Sequence, residues 1–427
     1  MHIYFVGIGG TGIGPLAIIA NQSGYRVSGS DKQASKYFDY VQEQGLLDAA
    51  IAKDESHLAK IHATAKVDWV VTTSAAEKEQ ADHPILAWAR QNGIKVTKRD
   101  EFLSWLISEK SLKLIAIAGT HGKTTTTAMM VWLFKQLGQP ISYSVGAKLS
   151  FGEMGEYNPQ SQYFVYECDE YDRNFLSFQP HLSLISGIAY DHPDIYPTEQ
   201  KYFEAFRQFV AQSATTICWE IDAAKAQLPF NSDIIRMNEQ PLGLASLTMA
   251  GEVNRRNARL VMQAAAELFP EEDLVKLADI MNCFPGVSRR FEKISENIYS
   301  DYAHTPEKIA GALQMAKEMA GENFVVVYEG LHNTRQHFIK AELKELFSGA
   351  KKFYIVPSYR AREDESLEDL TPTKLCELVK QPTDKQPAEL NDELKSEIAE
   401  HVAAGDLVLC LSAGGGGSLD EWLRKNF

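Results

Sequence analysis

A run of apolar residues that ends in a glycine loop places the strongest constraint on how this chain folds. The residues LIAIAG, 114–119, lead into GTHGKTTTT, 119–127, and then into MMVWLFKQLG, 129–138. A short apolar run followed by glycine predicts a buried strand, and the apolar residues beyond it predict a helix. A strand, a glycine loop and a helix in this order indicate an α/β fold with a parallel sheet.

The loop has the residue types of a phosphate-binding loop. The backbone at Gly119 and Gly122 allows close approach of phosphate, Lys123 can reach terminal phosphates, and the Thr124 hydroxyl can bind Mg²⁺. The usual spacing, G-x-x-x-x-G-K-[ST], requires a glycine where this chain has Ile117. We therefore interpret the loop as a shortened variant. A lysine merely exposed on a helix is the alternative, and the strand and helix on either side argue against it.

A second glycine run lies at the amino terminus and differs in design. Gly7, Gly9 and Gly12 match G-x-G-x-x-G between a predicted strand and a predicted helix, and Asp31 ends the next predicted strand. This pattern predicts a diphosphate held by backbone N–H groups at the start of a helix. NAD and a UDP-sugar both contain a diphosphate, so both remain open, as does a tight turn without a ligand.

Two acidic clusters follow predicted strands. ECDEYD, 167–172, contains four carboxylates in six residues, which repel one another unless a cation or solvent lies between them. YDHPD, 190–194, places His192 between two aspartates. The carboxyl ends of parallel strands meet at the ligand crevice, so we expect a Mg²⁺ ligand in each cluster. A solvated acidic turn and a structural histidine are the alternatives.

Amide and arginine side chains form further candidate sites. Asn254 and Asn257 lie three residues apart on a predicted helix, where they could contact a nucleobase or cap the helix. The paired arginines of GVSRRFE, 286–292, suit phosphate binding. Asp301 and His304 lie in a predicted loop before a helix that Pro306 can start. Interdomain salt bridges are the alternative for the arginines and for this loop.

The segment YEGLHNTRQ, 328–336, follows the predicted strand NFVVV. His332, Asn333 and Arg335 lie together in this loop, where they could bind a ligand carboxylate or simply face solvent. The polar stretch 379–393 is predicted to be a surface loop.

Length and linkers indicate three domains. The chain has 427 residues, against about 150 for a typical domain. A polar stretch at 108–113 and a Pro/Gly break at 283–287 separate three segments with α/β patterns. We predict domains at residues 1–109, 110–285 and 286–427.

Composition excludes some classes of partner. The net charge of -14 argues against general binding to nucleic acid. The five cysteines have neither metal-binding nor redox-motif spacing. The sequence has no secretion signal and no uncharged apolar stretch near the ~18 residues of a membrane span. We expect a cytoplasmic protein without a membrane partner.

These motifs, in this order, resemble the Mur ligase family, the ATP-dependent ligases that build the peptide of peptidoglycan. The resemblance covers nearly the whole chain, and its motifs are GIGGTGIG, TTSA, AGTHGKTTTT, ECDEYD, DHPDIY, NRRN, GVSRRFE and DYAHTPE. It implies a Rossmann-like amino-terminal domain that binds UDP, a central P-loop ATPase domain and a Rossmann-like carboxyl-terminal domain.

The resemblance also implies roles for individual residues. The UDP-sugar would be bound by Gly9, Gly10, Thr11, Gly12, Asp31 and Ser74. ATP would be bound by Gly119, Thr120, His121, Gly122, Lys123, Thr124, Thr125, Asn254, Asn257, Asp301 and His304. Mg²⁺ would be bound by Thr124, Glu170 and His192, and the catalytic residues would be Lys123, Glu170, His192 and Arg290. The amino acid would be bound by His332 and Arg335.

The implied reaction joins the lactyl carboxylate of UDP-N-acetylmuramate to L-alanine through an acyl phosphate. Relatives that add later amino acids use a carbamylated lysine where this chain has Phe206, which argues against those steps. Relatives that add L-alanine have P-H-R-Y-[ST]-R where this chain has Gly330 to Arg335, and only Thr334 and Arg335 match. A tripeptide acceptor, L-Ala-D-Glu-diamino acid, therefore stays open.

The resemblance implies ATP and Mg²⁺ as cofactors and a monomer or homodimer. Two other classes remain as alternatives. An NAD-linked oxidoreductase would use the first glycine run, but it leaves the second run and its acidic cluster without a role. A non-catalytic nucleotide-binding module would bind ATP without turning it over.

Overall fold

Three β-sheets follow one another along the chain. The computed structural model describes residues 1–46, 48–73, 83–239, 246–360 and 363–427. The chain divides into two compact units, the first formed by Met1–Ser246 with Asn257–Phe284 and the second by Leu247–Arg256 with Pro285–Phe427. The first unit contains two of the sheets and the second unit contains the third. The predicted α/β class with three sheet-containing parts is confirmed. Within these described ranges, no helix is both long and apolar enough to span a membrane.

The first sheet is parallel throughout, with the strand order β3-β2-β1-β4-β5. Its strands are β1 His2–Val6, β2 Arg26–Asp31, β3 Ala49–Ile51, β4 Trp69–Thr72 and β5 Lys95–Lys98. Its helices are α1 Gly14–Gln22, α2 Lys36–Glu43, α3 Ser56–Thr64, α4 Pro84–Gln91 and α5 Arg99–Glu109. Strand β1 pairs with β2 on one side and β4 on the other, so the loop after β1 lies at a topological switch point.

Strand β5 ends earlier than the sequence predicts. The pattern of GIKVTKRD, 93–100, predicts a strand over the whole segment, but the strand ends at Lys98 because Arg99 and Asp100 form the first turn of α5. An aromatic cluster anchors the helix to the sheet: Phe102 contacts Phe5 and Trp69 edge-on, with ring centroids 5.4 and 5.2 Å apart. This packing determines where the amino-terminal end of α5 lies.

The second sheet has the order β12-β11-β10-β6-β9-β7-β8 and is parallel except for the β7–β8 pair. Its strands are β6 Lys113–Ala118, β7 Ser142–Ser144, β8 Gly155–Glu156, β9 Tyr163–Glu167, β10 Leu182–Ile185, β11 Thr215–Trp219 and β12 Ile234–Met237. The α-helices described between residues 119 and 285 are α6 Lys123–Gln136, α7 Glu199–Gln212, α8 Glu220–Lys225, α9 Glu252–Leu268 and α10 Leu274–Asn282. Strand β6 lies between β9 and β10, so the GTHGKT loop also follows a switch-point strand.

The third sheet has the order β13-β14-β18-β15-β16-β17 and is parallel except for β13–β14. Its strands are β13 Glu292–Ser295, β14 Ile298–Asp301, β15 Phe324–Leu331, β16 Lys352–Tyr359, β17 Lys385–Pro387 and β18 Leu407–Ser412. Its helices are α11 Pro306–Ala320, α12 Asn333–Leu346, α13 Pro372–Leu378, α14 Asp392–Ala403 and α15 Leu419–Asn426.

Two expectations about this part of the chain are wrong in detail. The stretch 379–393, predicted to be a surface loop, contains the edge strand β17 and the start of α14. Asp301 is the last residue of β14 rather than a loop residue, whereas His304 does lie in the loop before the helix that starts at Pro306.

Candidate functional site

Both glycines of the GTHGKT loop occupy positions that only glycine can fill. Gly119 has φ +137°, and a Cβ there would lie 2.6 Å from the Ser186 hydroxyl. Gly122 has φ +78° and is the N-cap of α6, and a Cβ there would lie 2.8 Å from Asn257 Oδ1. Positive φ together with this crowding excludes any side chain. The loop therefore presents bare backbone at the start of a helix, as a phosphate-binding loop requires.

Hydroxyl groups fasten this loop to the end of the second sheet. The Thr120 hydroxyl is 2.7 Å from the Ala189 carbonyl and 2.6 Å from the Tyr202 hydroxyl. Ser186 Oγ donates to the carbonyl of His121. Thr125 lies half-buried in the first turn of α6. The loop is thus held in shape by the strand ends around it.

Lys123 and Glu170 form a buried ion pair at the loop. Lys123 Nζ donates to Glu170 Oε2 at 2.6 Å and to the Gly119 carbonyl at 2.6 Å. Burial by itself would raise the pKa of Glu170, but Lys123 and the neighbouring His192 imidazole outweigh it and lower that pKa to about 2. Burial would lower the pKa of Lys123, and Glu170 and Asp169 outweigh that effect and raise it. The lysine therefore remains a cation beside the phosphate loop.

The other carboxylates of the ECDEYD turn each have a separate partner, which resolves the repulsion that the sequence implies. The contacts are Thr124 Oγ1 to Glu167 Oε1 at 2.9 Å, Arg99 to Asp169 at 3.8 Å, and Lys98 Nζ to Asp172 Oδ2 at 2.8 Å. Two of these partners, Lys98 and Arg99, come from the junction between β5 and α5. The turn is therefore tied to the first sheet as well as to the phosphate loop.

His192 lies next to the ion pair in a strained conformation. Its Nε2 is 3.6 Å from Glu170 Oε1, and its φ is +58°. Burial lowers its pKa, but the contacts with Glu170 and Asp191 outweigh burial and raise it. Asp172 and Arg173 also have positive φ, at 55° and 58°. Left-handed residues other than glycine cost about 1 kcal/mol or more each, and their clustering is typical of functional sites.

The donor chemistry of this turn fits Mg²⁺ only when a ligand supplies further oxygens. In the part of the chain that the structure describes, no group of three or more His, Cys, Asp or Glu side chains is arranged to hold a metal ion. Thr124 contacts Glu167, whereas Glu170 and His192 contact each other. Mg²⁺ is usually held by one or two carboxylates together with water and substrate phosphates, so these residues fit a phosphate-bound ion.

Asn257 adds an unpaired amide N–H to this loop. Its side chain is buried beside Gly122, and its Nδ2 has no acceptor among the residues that the structure describes. A buried amide N–H without a partner is costly and rare. Asn254, in contrast, donates to the Ala250 carbonyl at 3.1 Å in the second unit. The two amides lie on one helix, as predicted, but their surroundings differ.

The amino-terminal glycine loop follows β1 and is organised by Asp31. The Gly9 N–H donates to Asp31 Oδ2 at 2.9 Å, and a Cβ on Gly9 would lie 2.9 Å from Phe38 Cβ. Asp31 thus shapes the loop directly. Gly10 and Thr11 are exposed and Gly12 is half-buried. Ser74, predicted to bind the UDP-sugar, lies outside the described residues.

The second unit groups several of the predicted residues near the ends of β14 and β15. Asp301 accepts a hydrogen bond from the Phe291 N–H at 2.7 Å, and burial raises its pKa to about 6 although Arg290 opposes this. Burial, followed by Lys308, lowers the pKa of His304 to about 3, so its imidazole is neutral.

Arg290 and Arg335 accompany these residues. The Arg290 guanidinium lies 4.9 Å from the ring centroid of Tyr302. The charge of Arg335 contributes to the lowered pKa of His304, after burial and Lys308. A neutral imidazole and two guanidinium groups can bind the polar edge of a ligand and an anion.

The junction between β15 and α12 is organised by an acid that sequence reasoning missed. Asn333 and Arg335, predicted to lie in a loop, instead form the first turn of α12. His332 has φ +56° and precedes α12, and its N–H donates to the Tyr359 carbonyl at 2.9 Å. The N–H groups of Asn333 and Thr334 donate to the two carboxylate oxygens of Glu363, each at 3.1 Å. The Asn333 side chain is buried and binds backbone groups, so it does not face a ligand. Glu363 lies about thirty residues away in sequence, and no local pattern indicates its role.

Three stretches of the chain match families of one kind. Residues 2–111 match "Mur ligase family, catalytic domain", residues 117–228 match "Mur ligase middle domain", and residues 289–414 match "Mur ligase, glutamate ligase domain". These stretches follow the order of the three sheets.

Curated relatives extend over most of the chain. The UDP-N-acetylmuramate–L-alanine ligase of Syntrophomonas wolfei is 30% identical over 404 residues, covering 85% of this chain and 83% of the relative. The enzyme of the same name from Renibacterium salmoninarum is 29% identical over 455 residues, covering 97% and 93%.

Solved structures share the fold. The UDP-N-acetylmuramate-alanine ligase of Thermotoga maritima superposes with a TM-score of 0.77 at 23% identity, covering 100% of this chain and 98% of that one. A murein peptide ligase from Psychrobacter arcticus superposes with a TM-score of 0.63 at 21% identity, covering 97% and 96%.

Proposed function

Because the chain belongs to the Mur ligase family, we propose that it joins the lactyl carboxylate of UDP-N-acetylmuramate to L-alanine with consumption of ATP. The observation that carries the proposal is the Lys123–Glu170 ion pair at a glycine-only loop after a switch-point strand. A phosphate loop with a buried cation at its end suits the transfer of a terminal phosphate.

The reaction requires an activated carboxylate. The lactyl carboxylate oxygen attacks the γ-phosphorus of ATP, the bond from that phosphorus to the bridging oxygen breaks, and ADP leaves. The amine nitrogen of alanine then attacks the carbonyl carbon of the acyl phosphate through a tetrahedral intermediate. Phosphate leaves and the amine proton is lost, which completes the amide.

The protein stabilises the negative charge that gathers when two anions meet. Lys123 provides a fixed cation beside the loop, and the bare N–H groups around Gly122 can hold phosphate oxygens. Glu170, His192 and Thr124 would hold Mg²⁺ together with the phosphates of ATP, and the ion would neutralise further negative charge. Arg290 would contact phosphate. The geometry thus serves alignment and charge stabilisation rather than covalent catalysis.

The remaining predicted residues fall into three groups. Gly9, Gly10, Thr11, Gly12, Asp31 and Ser74 would form the UDP-sugar site. Asn254, Asn257, Asp301 and His304 would contact adenosine, and the unpaired amide of Asn257 supports its share of this role. His332 and Arg335 would bind the amino acid.

We propose domain boundaries near residues 109 and 285, which separate the parts of the chain that would bind the UDP-sugar, ATP and the amino acid. We also propose a cytoplasmic location, where ATP is supplied.

The acceptor is proposed to be L-alanine rather than a tripeptide. The curated relatives described above are named as L-alanine ligases, and they align with this chain over most of their length. An oxidoreductase is not favoured, because it leaves the phosphate loop at Lys123 without a role.

Phosphate release tests the proposal. We expect release from ATP that requires both UDP-N-acetylmuramate and L-alanine, with less or none when serine, glycine or the tripeptide replaces alanine. Lys135, at the far end of the same helix and paired with Glu156, offers a matched control. Lys123→Met should abolish release and Lys135→Met should retain it. Release that ignores both the sugar nucleotide and the amino acid would contradict the proposal.

A further inference from the structure

The guanidinium of Arg99 lies directly on the amino-terminal glycine loop. A Cβ placed on Gly12 would lie 2.0 Å from Arg99 Nη1 and 3.2 Å from its Cζ. Any residue larger than glycine at position 12 would therefore displace the arginine. Gly12 leaves room for this guanidinium, in addition to the helix–strand packing that the third glycine of the motif usually serves.

The orientation of Arg99 is set by carboxylates on its other edge. Its Nε donates to Asp100 Oδ2 at 3.3 Å, and its Nη2 is 3.8 Å from Asp169 Oδ2. Asp100 is buried and accepts a second hydrogen bond from the Tyr166 hydroxyl at 3.1 Å. The side chain of Arg99 is only 20% exposed. These contacts fix the plane of the guanidinium and turn Nη1 toward the loop.

The same glycine loop also has backbone N–H groups that remain available to a ligand. The N–H of Gly9 is used by Asp31, and that of Gly10 by the Gly7 carbonyl. The N–H groups of Thr11 and Gly12 have no acceptor within the described ranges. Two free backbone donors beside an oriented guanidinium form an anion site that neither the loop nor the arginine would make alone.

We propose that Arg99 binds the diphosphate of the UDP-sugar, together with the backbone of Thr11 and Gly12. This inference rests on the proposed function and adds a side chain to the glycine loop. The guanidinium suits the role because it remains charged and can donate to two phosphate oxygens at once. Its contact with Asp169 also joins the diphosphate site to the residue next to Glu170.

Titration of the full-length protein with UDP tests this role. Arg99→Met keeps the apolar stem and removes the charge, and we expect UDP to bind at least about tenfold more weakly, since a hydrogen bond to a charged group is lost. Lys98→Ala is the matched control, because Lys98 is the neighbouring cation and pairs with Asp172 in the same acidic turn. That variant should bind UDP within about twofold of the wild-type protein.

A second pair of variants separates binding from a structural role. If Arg99 only neutralised Asp169, then Asp169→Asn would restore UDP binding to the Arg99→Met protein. We expect no such rescue. In turnover, Arg99→Met should raise the KM for the sugar nucleotide and leave the KM for ATP nearly unchanged, whereas disruption of the acidic turn would raise both.

The outcomes are distinguishable from those that bear on the proposed function. A wild-type protein that fails to bind UDP would overturn the proposed function and this inference together. Equal UDP binding by wild-type and Arg99→Met proteins, or rescue by Asp169→Asn, would overturn only the role of Arg99. Should Arg99→Met fail to fold, Arg99→Lys replaces it in the test. Lysine lacks the paired N–H donors of the guanidinium, so a loss of UDP affinity below about threefold would overturn the role.

Discussion

Glu170 Oε2 accepts a hydrogen bond from Lys123 Nζ at 2.6 Å, and the Glu170 side chain is only 1% exposed. The pair thus combines a structural and a chemical role in one contact. Each ion compensates the charge of the other, so removal of either should affect stability as well as turnover.

The two roles of this pair can be separated by mutation. Lys123→Met should lower the free energy of unfolding by roughly 3–5 kcal/mol, because it leaves a buried carboxylate without its cation. The double variant Lys123→Met/Glu170→Gln should regain most of that stability and remain inactive. Urea unfolding and phosphate release measure the two effects. A stable Lys123→Met protein, or an active double variant, would contradict this account.

Glu363 should control the affinity for the amino acid. Glu363→Ala removes the acceptor for the N–H groups of Asn333 and Thr334, and losing such a cap costs about 1 kcal/mol. We expect the KM for the amino acid to rise about fivefold to tenfold, since 1.4 kcal/mol corresponds to a factor of ten, with the KM for ATP unchanged. Glu368→Gln, which alters an exposed carboxylate of the same segment, is the control. Parallel changes in both KM values would argue against a local effect.

The stability of the second unit should fall at acid pH through Asp406. This buried carboxylate accepts two hydrogen bonds from Lys351 Nζ, at 2.9 and 2.8 Å, and contacts His401 Nδ1 at 2.9 Å. Burial alone would raise the pKa of Asp406, but Lys351 and His401 outweigh it and lower that pKa.

Because the folded pKa lies below the unfolded value of about 3.9, the carboxylate stabilises the fold at higher pH. That contribution is lost as the pH falls through the folded pKa. Asp406→Asn should therefore be less stable at pH 7 by about 1–3 kcal/mol and lose less stability than the wild type below pH ~4. Thermal unfolding between pH 3 and 7 measures this, with the exposed Glu342→Gln as control. Identical pH profiles for Asp406→Asn and wild type would refute it.

The aromatic cluster under α5 should contribute strongly to stability. Phe102→Ala removes edge contacts with Phe5 and Trp69 and opens a cavity, so we expect a loss of about 3–5 kcal/mol. Phe102→Leu fills most of the space and should cost less. Because α5 begins at Arg99, the alanine variant should also weaken UDP binding if it remains folded. Urea unfolding supplies the first value and titration the second.

Sequence patterns identify the central strands well, and the reason is burial on both faces. Strands such as β6, β15 and β18 read as continuous apolar runs, as parallel strands covered by helices do. The phosphate loop is equally visible, because its glycines, lysine and threonine are adjacent in sequence.

Short edge strands are not visible in the same way. β17, Lys385–Pro387, lies in a polar stretch, and only its pairing with β16 makes it a strand. The sequence pattern predicts that β5 continues to residue 100, whereas α5 begins at Arg99, because the start of the helix depends on Phe102 packing against the first sheet.

Parts of the site that depend on contacts between residues far apart in the sequence are also not predicted by sequence patterns. The segment GIKVTKRD contains Lys98 and Arg99, but their acidic partners lie about seventy residues later. Asp31 was expected from the spacing of the glycine motif, whereas the bond it makes to the loop itself becomes apparent only in three dimensions.

The first unit is built from two separate stretches of chain, and this affects how the protein can be dissected. A fragment ending at Ser246 would lack the Ile280 carbonyl that accepts from Trp132 Nε1 at 2.9 Å, and the Phe269 ring that packs on Phe134 at 5.2 Å. The chain leaves the first unit after Ser246 and returns to it at Asn257, so truncation at Ser246 removes part of that unit. A fragment ending at Phe284 would retain both contacts, and it is the shortest amino-terminal piece from which independent folding is expected.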